Sequence, residues 1–146
     1  MQTALYALAF VAGLLLTVQV GLNAALRSAF GNPGMAALAN FLVGTAGLFA
    51  YLLITRAQWP GRAALSVAPG WVWLGGLLGA FYVGSSVVVG PRLGAAALLA
   101  LTVFGQLAAS LVVDHFGWLG FPQHPLTLTR LAGAALLLVG VVLTVR

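Results

Sequence analysis

Gln19 and Asn23 stand four residues apart, and Gln106, Ser110 and Asp114 follow one another at the same spacing. On a helix that spacing puts each set on one face. Asn40 and the group Tyr82, Ser85 and Ser86 interrupt two further apolar stretches. An amide in hydrocarbon costs several kcal/mol unless it is paired, so these groups must face protein or water. Two chemistries follow. One is hydrogen bonding between helices; the other is a polar cavity for a small solute. The second makes Gln19, Asn23, Asn40, Tyr82 and Gln106 the candidate substrate-binding residues. Asp114, the only acidic residue, and its neighbour His115 are the candidate gate or proton site, since histidine is the side chain that titrates near neutral pH. The simpler reading of Asp114 is a helix-end cap or an ion pair with a nearby arginine.

Other chemistries are poorly supplied. With no cysteine, disulfides, thiol catalysis and thiolate metal sites are excluded. Two histidines and one aspartate are too few for a metal site, and no cofactor is implied. Asp114 and His115 are adjacent and do not face each other on a helix, and no serine-centred motif supplies a nucleophile. The chain is therefore not expected to be an enzyme. The net charge of +5 rests on six arginines scattered singly, which cannot track a phosphate backbone, so nucleic acid is not a partner.

The elements that must position these residues are membrane spans. Hydrophobic residues make up 62% of the 146 and charged residues 5%, far below the roughly 25% charge of a soluble domain. A spanning helix needs about 20 residues, and five fit, at about 3–26, 33–54, 71–90, 93–113 and 126–145. They form one membrane domain over 1–146, all-α, with the lipid bilayer as its first partner. The first span lacks a basic leader and is long for a signal-peptide core, so it reads as retained. Ser28 to Gly34 reads as a turn, with Asn32 as N-cap and Pro33 opening the second helix. The longest polar connection is Thr55 to Pro69, where Trp59, with the following Trp71 and Trp73, suits a headgroup belt. Pro91 disfavours helix at the residue before it, so Gly90-Pro91-Arg92 reads as a tight connection. Asp114 to Pro125 is the last loop, in which His124 is most simply solvated, and Arg130 snorkels from the start of the fifth span. Glycines inside the spans, among them Gly44, Gly47, Gly75, Gly76, Gly79, Gly133 and Gly140, point to close helix packing.

With five spans the arginines divide evenly. Arg56, Arg62 and Arg130 fall on one side; Arg27, Arg92 and Arg146 fall on the other. The bias of Lys and Arg between loops sets orientation, and a tie gives little instruction. It predicts dual topology and pairing with an inverted copy. The N-terminal amine is the one charge that works toward a fixed orientation.

Several stretches together resemble a known family: Gln19-Val20-Gly21-Leu22-Asn23-Ala24-Ala25-Leu26, Trp73-Leu74-Gly75-Gly76-Leu77-Leu78-Gly79-Ala80-Phe81-Tyr82, Pro91-Arg92-Leu93-Gly94-Ala95-Ala96, Gly105-Gln106 and Asp114-His115-Phe116-Gly117, with Arg130 and Gly133. In order and spacing they look like the YdcZ-type bacterial inner-membrane proteins of the drug/metabolite transporter (DMT) superfamily. The resemblance implies a multi-pass protein of the cytoplasmic (inner) membrane, an exporter-like fold, and one half of a ten-helix inverted repeat. In such repeats the site lies near the midplane and rocking halves alternate access. An antiparallel homodimer would recreate that arrangement. The related small multidrug resistance proteins carry a membrane-embedded glutamate in their first span, where this chain has Gln19 and Asn23; that departure argues against proton-coupled export of lipophilic cations.

The expectation is a small transporter moving a polar or amphipathic metabolite or drug-like solute by alternating access. Its alternatives are a non-transporting subunit that pairs with a paralogous five-span chain or a larger complex, and a lipid flippase, hinted at by the aromatic loop Phe116 to Phe121.

Overall fold

The computed structural model describes the backbone of residues 2–146 and the side chains of residues 2–62 and 66–146. Six α-helices follow one another: α1 (Gln2–Phe30), α2 (Pro33–Ile54), α3 (Arg62–Val67), α4 (Leu74–Leu93), α5 (Ala95–Phe116) and α6 (Leu128–Val145). Short 3-10 turns at Gly70–Trp73 and Trp118–Gly120 precede α4 and follow α5. Among the described residues five helical segments are long and apolar enough to cross a membrane; the third begins at Gly70, and α3 is too short to span. Helices are the solution hydrocarbon imposes on a single segment, because every backbone group must be satisfied within it. The exterior agrees: Ile54 is 81% and Leu128 85% exposed, an apolar surface that only lipid or another chain would cover favourably.

Local chemistry sets most helix ends. The α1 helix runs on through Phe30, four residues past the expected end. Ser28 bonds back to the Ala24 carbonyl, and Gly31, at φ +66, closes the last turn with its N–H on the Arg27 carbonyl. The turn is thereby reduced to Gly31 and Asn32. As expected, Asn32 caps α2, its side-chain oxygen accepting from the Met35 N–H at 3.1 Å, with Pro33 in the first turn. Thr127 does the same for α6, accepting from the Arg130 N–H at 3.3 Å. The connection after α2 holds a helix of its own, α3, that its polar composition does not announce.

The third span corrects a stronger expectation. Helix α4 does not stop at Gly90; it passes through Pro91 and ends at Leu93, where Gly94 turns at φ +81. A proline inside a helix has no N–H for the carbonyl four residues earlier, here that of Val87. Arg27 supplies the missing donor: its guanidinium donates to the Val87 carbonyl at 3.2 Å and reaches the Val88 carbonyl at 3.5 Å. The helix therefore survives its proline because a side chain from α1 satisfies the group that the proline leaves bare.

The chain divides into two compact units, one ending at Val89 and one running from Gly90 to Arg146. In the first, α1 packs along α2, and Ala36, Ala37, Val83 and Val87 form a buried cluster with Leu26 and Tyr82 against it. The alanines there let helix backbones come close. In the second, α5 packs along α6, with Ala97, Leu98, Leu111 and Val141 buried. Among the described residues, the glycines expected to serve close packing are not closely approached within their own units. A Cβ at Gly44, Gly47, Gly75, Gly76, Gly133 or Gly140 would meet nothing within 4 Å, and one at Gly79 only ordinary contact with Phe41.

Candidate functional site

Helices α1 and α2 bring two of the five candidate substrate residues together. The Gln19 amide donates to the Asn40 side-chain oxygen at 3.3 Å, across 21 residues of sequence. The distance is long for an N–H···O bond, whose usual value is 2.9–3.0 Å. Both amides line a groove of about 380 Å³ whose third polar side chain is Thr45 and whose apolar wall includes Phe41, Leu48 and Val83. Each amide has two donors and two acceptor lone pairs, so one bond between them leaves most of their capacity facing the groove.

The other candidates lie elsewhere. Asn23, one turn along α1, is 2% exposed and does not line the groove. Tyr82 is half-buried against the first unit's core. Ser86 is buried and donates to the Val83 carbonyl at 2.8 Å. Gln106 lies on α5, in the second unit, exposed at the surface. Among the described residues no buried side-chain polar atom lacks a partner. The groove residues Phe41, Thr45 and Leu48 were not among the sequence candidates. For Thr45 and Leu48 the available signal was their position about one and two turns beyond Asn40 on the same helix; Phe41, adjacent to Asn40, gave none.

The arginine partner expected of Asp114 is present: its carboxylate forms an ion pair with Arg130, a contact 16 residues apart in sequence. The same arginine donates to the His124 carbonyl at 2.8 Å, so its head is held by protein and the residue does more than snorkel. Around this pair the last loop folds back on the end of α5. The Asp114 carbonyl accepts the His124 N–H at 2.8 Å, and the His115 carbonyl accepts the Gln123 amide at 3.0 Å. The His115 ring accepts the Leu126 N–H at Nδ1, 3.2 Å away. Gly117 turns the chain at φ +65, where a Cβ would press on Gln123 at 3.3 Å. Phe116 and Trp118 stack with ring centres 4.9 Å apart. Both remain exposed, as suits rings at a headgroup belt. Among the described residues no cluster of side chains is fit to hold a metal ion.

The arrangement can thus offer hydrogen bonds to a solute from one uncharged groove, and holds its single carboxylate in a closed, loop-fixing pair. Over residues 4–143 the chain matches the family described as "Putative inner membrane exporter, YdcZ". It is 34% identical over 146 residues to "Inner membrane protein YdcZ" of Escherichia coli (strain K12), an alignment covering 99% of this chain and 97% of that protein. No solved structure matches it. The likeness read from scattered motifs thus extends over nearly the whole length, and five spanning helices accompany it. The chain is a multi-pass protein of the inner membrane and belongs to the YdcZ family.

Proposed function

We propose that this chain is a transporter that moves a small polar or amphipathic solute by alternating access, as an antiparallel homodimer. The observation that carries the reading is the Gln19–Asn40 amide pair on the wall of an open groove. Polar capacity in a spanning helix is costly and persists where it meets protein, water or a solute. The family's description as an exporter supports the direction of the argument. An odd number of spans puts the termini on opposite sides, and the arginines tie three against three. Both favour two copies inserted in opposite senses, the architecture in which inverted repeats alternate access. On this reading Gln19 and Asn40 contact the solute directly. Asn23, Tyr82 and Gln106 are further proposed contacts of the solute, and Asp114 and His115 the proposed gate or proton site.

The test is uptake by reconstituted vesicles incubated with a cell-derived metabolite extract, read by mass spectrometry. Wild-type vesicles should enrich a small set of solutes that vesicles with Gln19→Leu, Asn40→Leu or Gln106→Leu do not, while all four proteins assemble alike. The same set in every preparation would sink the reading.

A further inference from the structure

We propose that the groove beside Gln19 and Asn40 accepts uncharged amphiphiles whose head group both donates and accepts hydrogen bonds, such as an amide or an alcohol, and rejects organic cations and anions. The inference rests on the groove being the solute site and adds the charge class of what enters it.

Three observations carry it. The polar side chains on the groove are two amides and one hydroxyl, none ionisable. A cation would need a carboxylate, and the whole chain has one, which Arg130 already holds. A second, inverted copy brings only the same closed pair. An anion would need a free guanidinium. In the first unit Arg27, the arginine on the groove's own helix α1, is committed to the Val87 and Val88 carbonyls and stands eight residues, about 12 Å of helix rise, from Gln19. Arg56, Arg62, Arg92 and Arg146 are exposed at or beyond helix ends.

Desolvating an ion without a counter-charge costs far more than desolvating a neutral polar group that regains its hydrogen bonds. The amides can return those bonds to a head group of either polarity, because donor and acceptor atoms remain on both. Phe41, Leu48 and Val83 then receive the apolar remainder.

The chain has no cysteine, so Thr45→Cys places a single thiol on the groove. Its rate of modification by methyl methanethiosulfonate, in reconstituted vesicles, reports occupancy. Three probes of one shape separate the charge classes: phenylacetamide, phenethylammonium and phenylacetate. Phenylacetamide should slow labelling by about fivefold at about four times its Kd, the factor 1 + [L]/Kd for exclusive occupancy; the two ions should leave the rate unchanged, and Gln19→Leu should remove the protection. Equal or better protection by either ion overturns the charge class while leaving the groove as a site. Labelling that none of the three slows overturns both, as does a thiol that never reacts, since the groove would then be closed to water. Val43→Cys, also on the groove wall, serves as the reporter where Thr45→Cys fails to assemble.

Discussion

The two units of the chain handle polarity in opposite ways. The first keeps neutral amides on the wall of an open groove, joined by one long hydrogen bond. The second gathers its charge at the end of α5, where Asp114, Arg130 and the backbone of the last loop close on one another. An open, under-used hydrogen-bonding surface suits a passing solute; a closed network suits fixing a loop. The contrast teaches that the acidic residue, the most chemical-looking in the sequence, is already engaged by an arginine. The amides, which look like ordinary interhelical contacts, are the better candidates for function.

The largest separation should come from Gln19→Leu. Transport should be lost while the melting temperature in detergent barely moves, because replacing one end of a weak, groove-facing bond by an apolar side chain changes stability by no more than about 1 kcal/mol. A large drop in melting temperature with residual transport would reverse the roles of the two units.

The complementary change is Asp114→Asn. It leaves Arg130 partly buried without its counter-charge, and the pair is 22–31% exposed, so the cost should lie near 2 kcal/mol, between exposed and buried pairs. Protease sensitivity between Gly117 and Thr127 should rise, while phenylacetamide protection of Thr45→Cys persists. Loss of that protection would instead tie Asp114 to the solute path.

The smallest effect is a coupling energy, and it probes the contact of Arg27 with α4. Arg27→Ala should cost about 1–3 kcal/mol by leaving the Val87 carbonyl unpaired. Pro91→Ala gives α4 back its own N–H, so the double variant should be more stable than the sum of the two single changes implies, with a coupling of about 1 kcal/mol. Strict additivity in chemical denaturation would mean Arg27 is not the cap of that carbonyl.

How far the sequence reached follows from the range of each signal. Hydropathy over about 20 residues is a local quantity, and all five spans were legible from it. The start of α2 was legible as well, since Asn32, Pro33 and the Met35 N–H lie within one turn. The end of α4 was not. Pro91 argues locally for a break, and what overrides it is a guanidinium sixty residues away. The candidate groove shows the same division. That Gln19 and Asn40 needed partners was plain from their composition, but that they partner each other depends on how α1 lies against α2. Gln106 shares their residue type, and nothing in its spacing distinguished it from them. The Asp114–Arg130 pair lay between: an arginine near the end of span four was foreseeable, and which one was decided by the fold-back of the last loop.

The central claim, a solute path built from two inverted copies, is tested most directly by topology. A single cysteine at Gln58, exposed in the connection between α2 and α3, would be labelled in intact cells with a membrane-impermeant thiol reagent, then again after permeabilisation. The account predicts about half labelled from outside, with the remainder appearing only on permeabilisation, as balanced charge on the two sides implies. Labelling confined to one side would contradict it, since a chain inserted one way cannot be its own inverted partner.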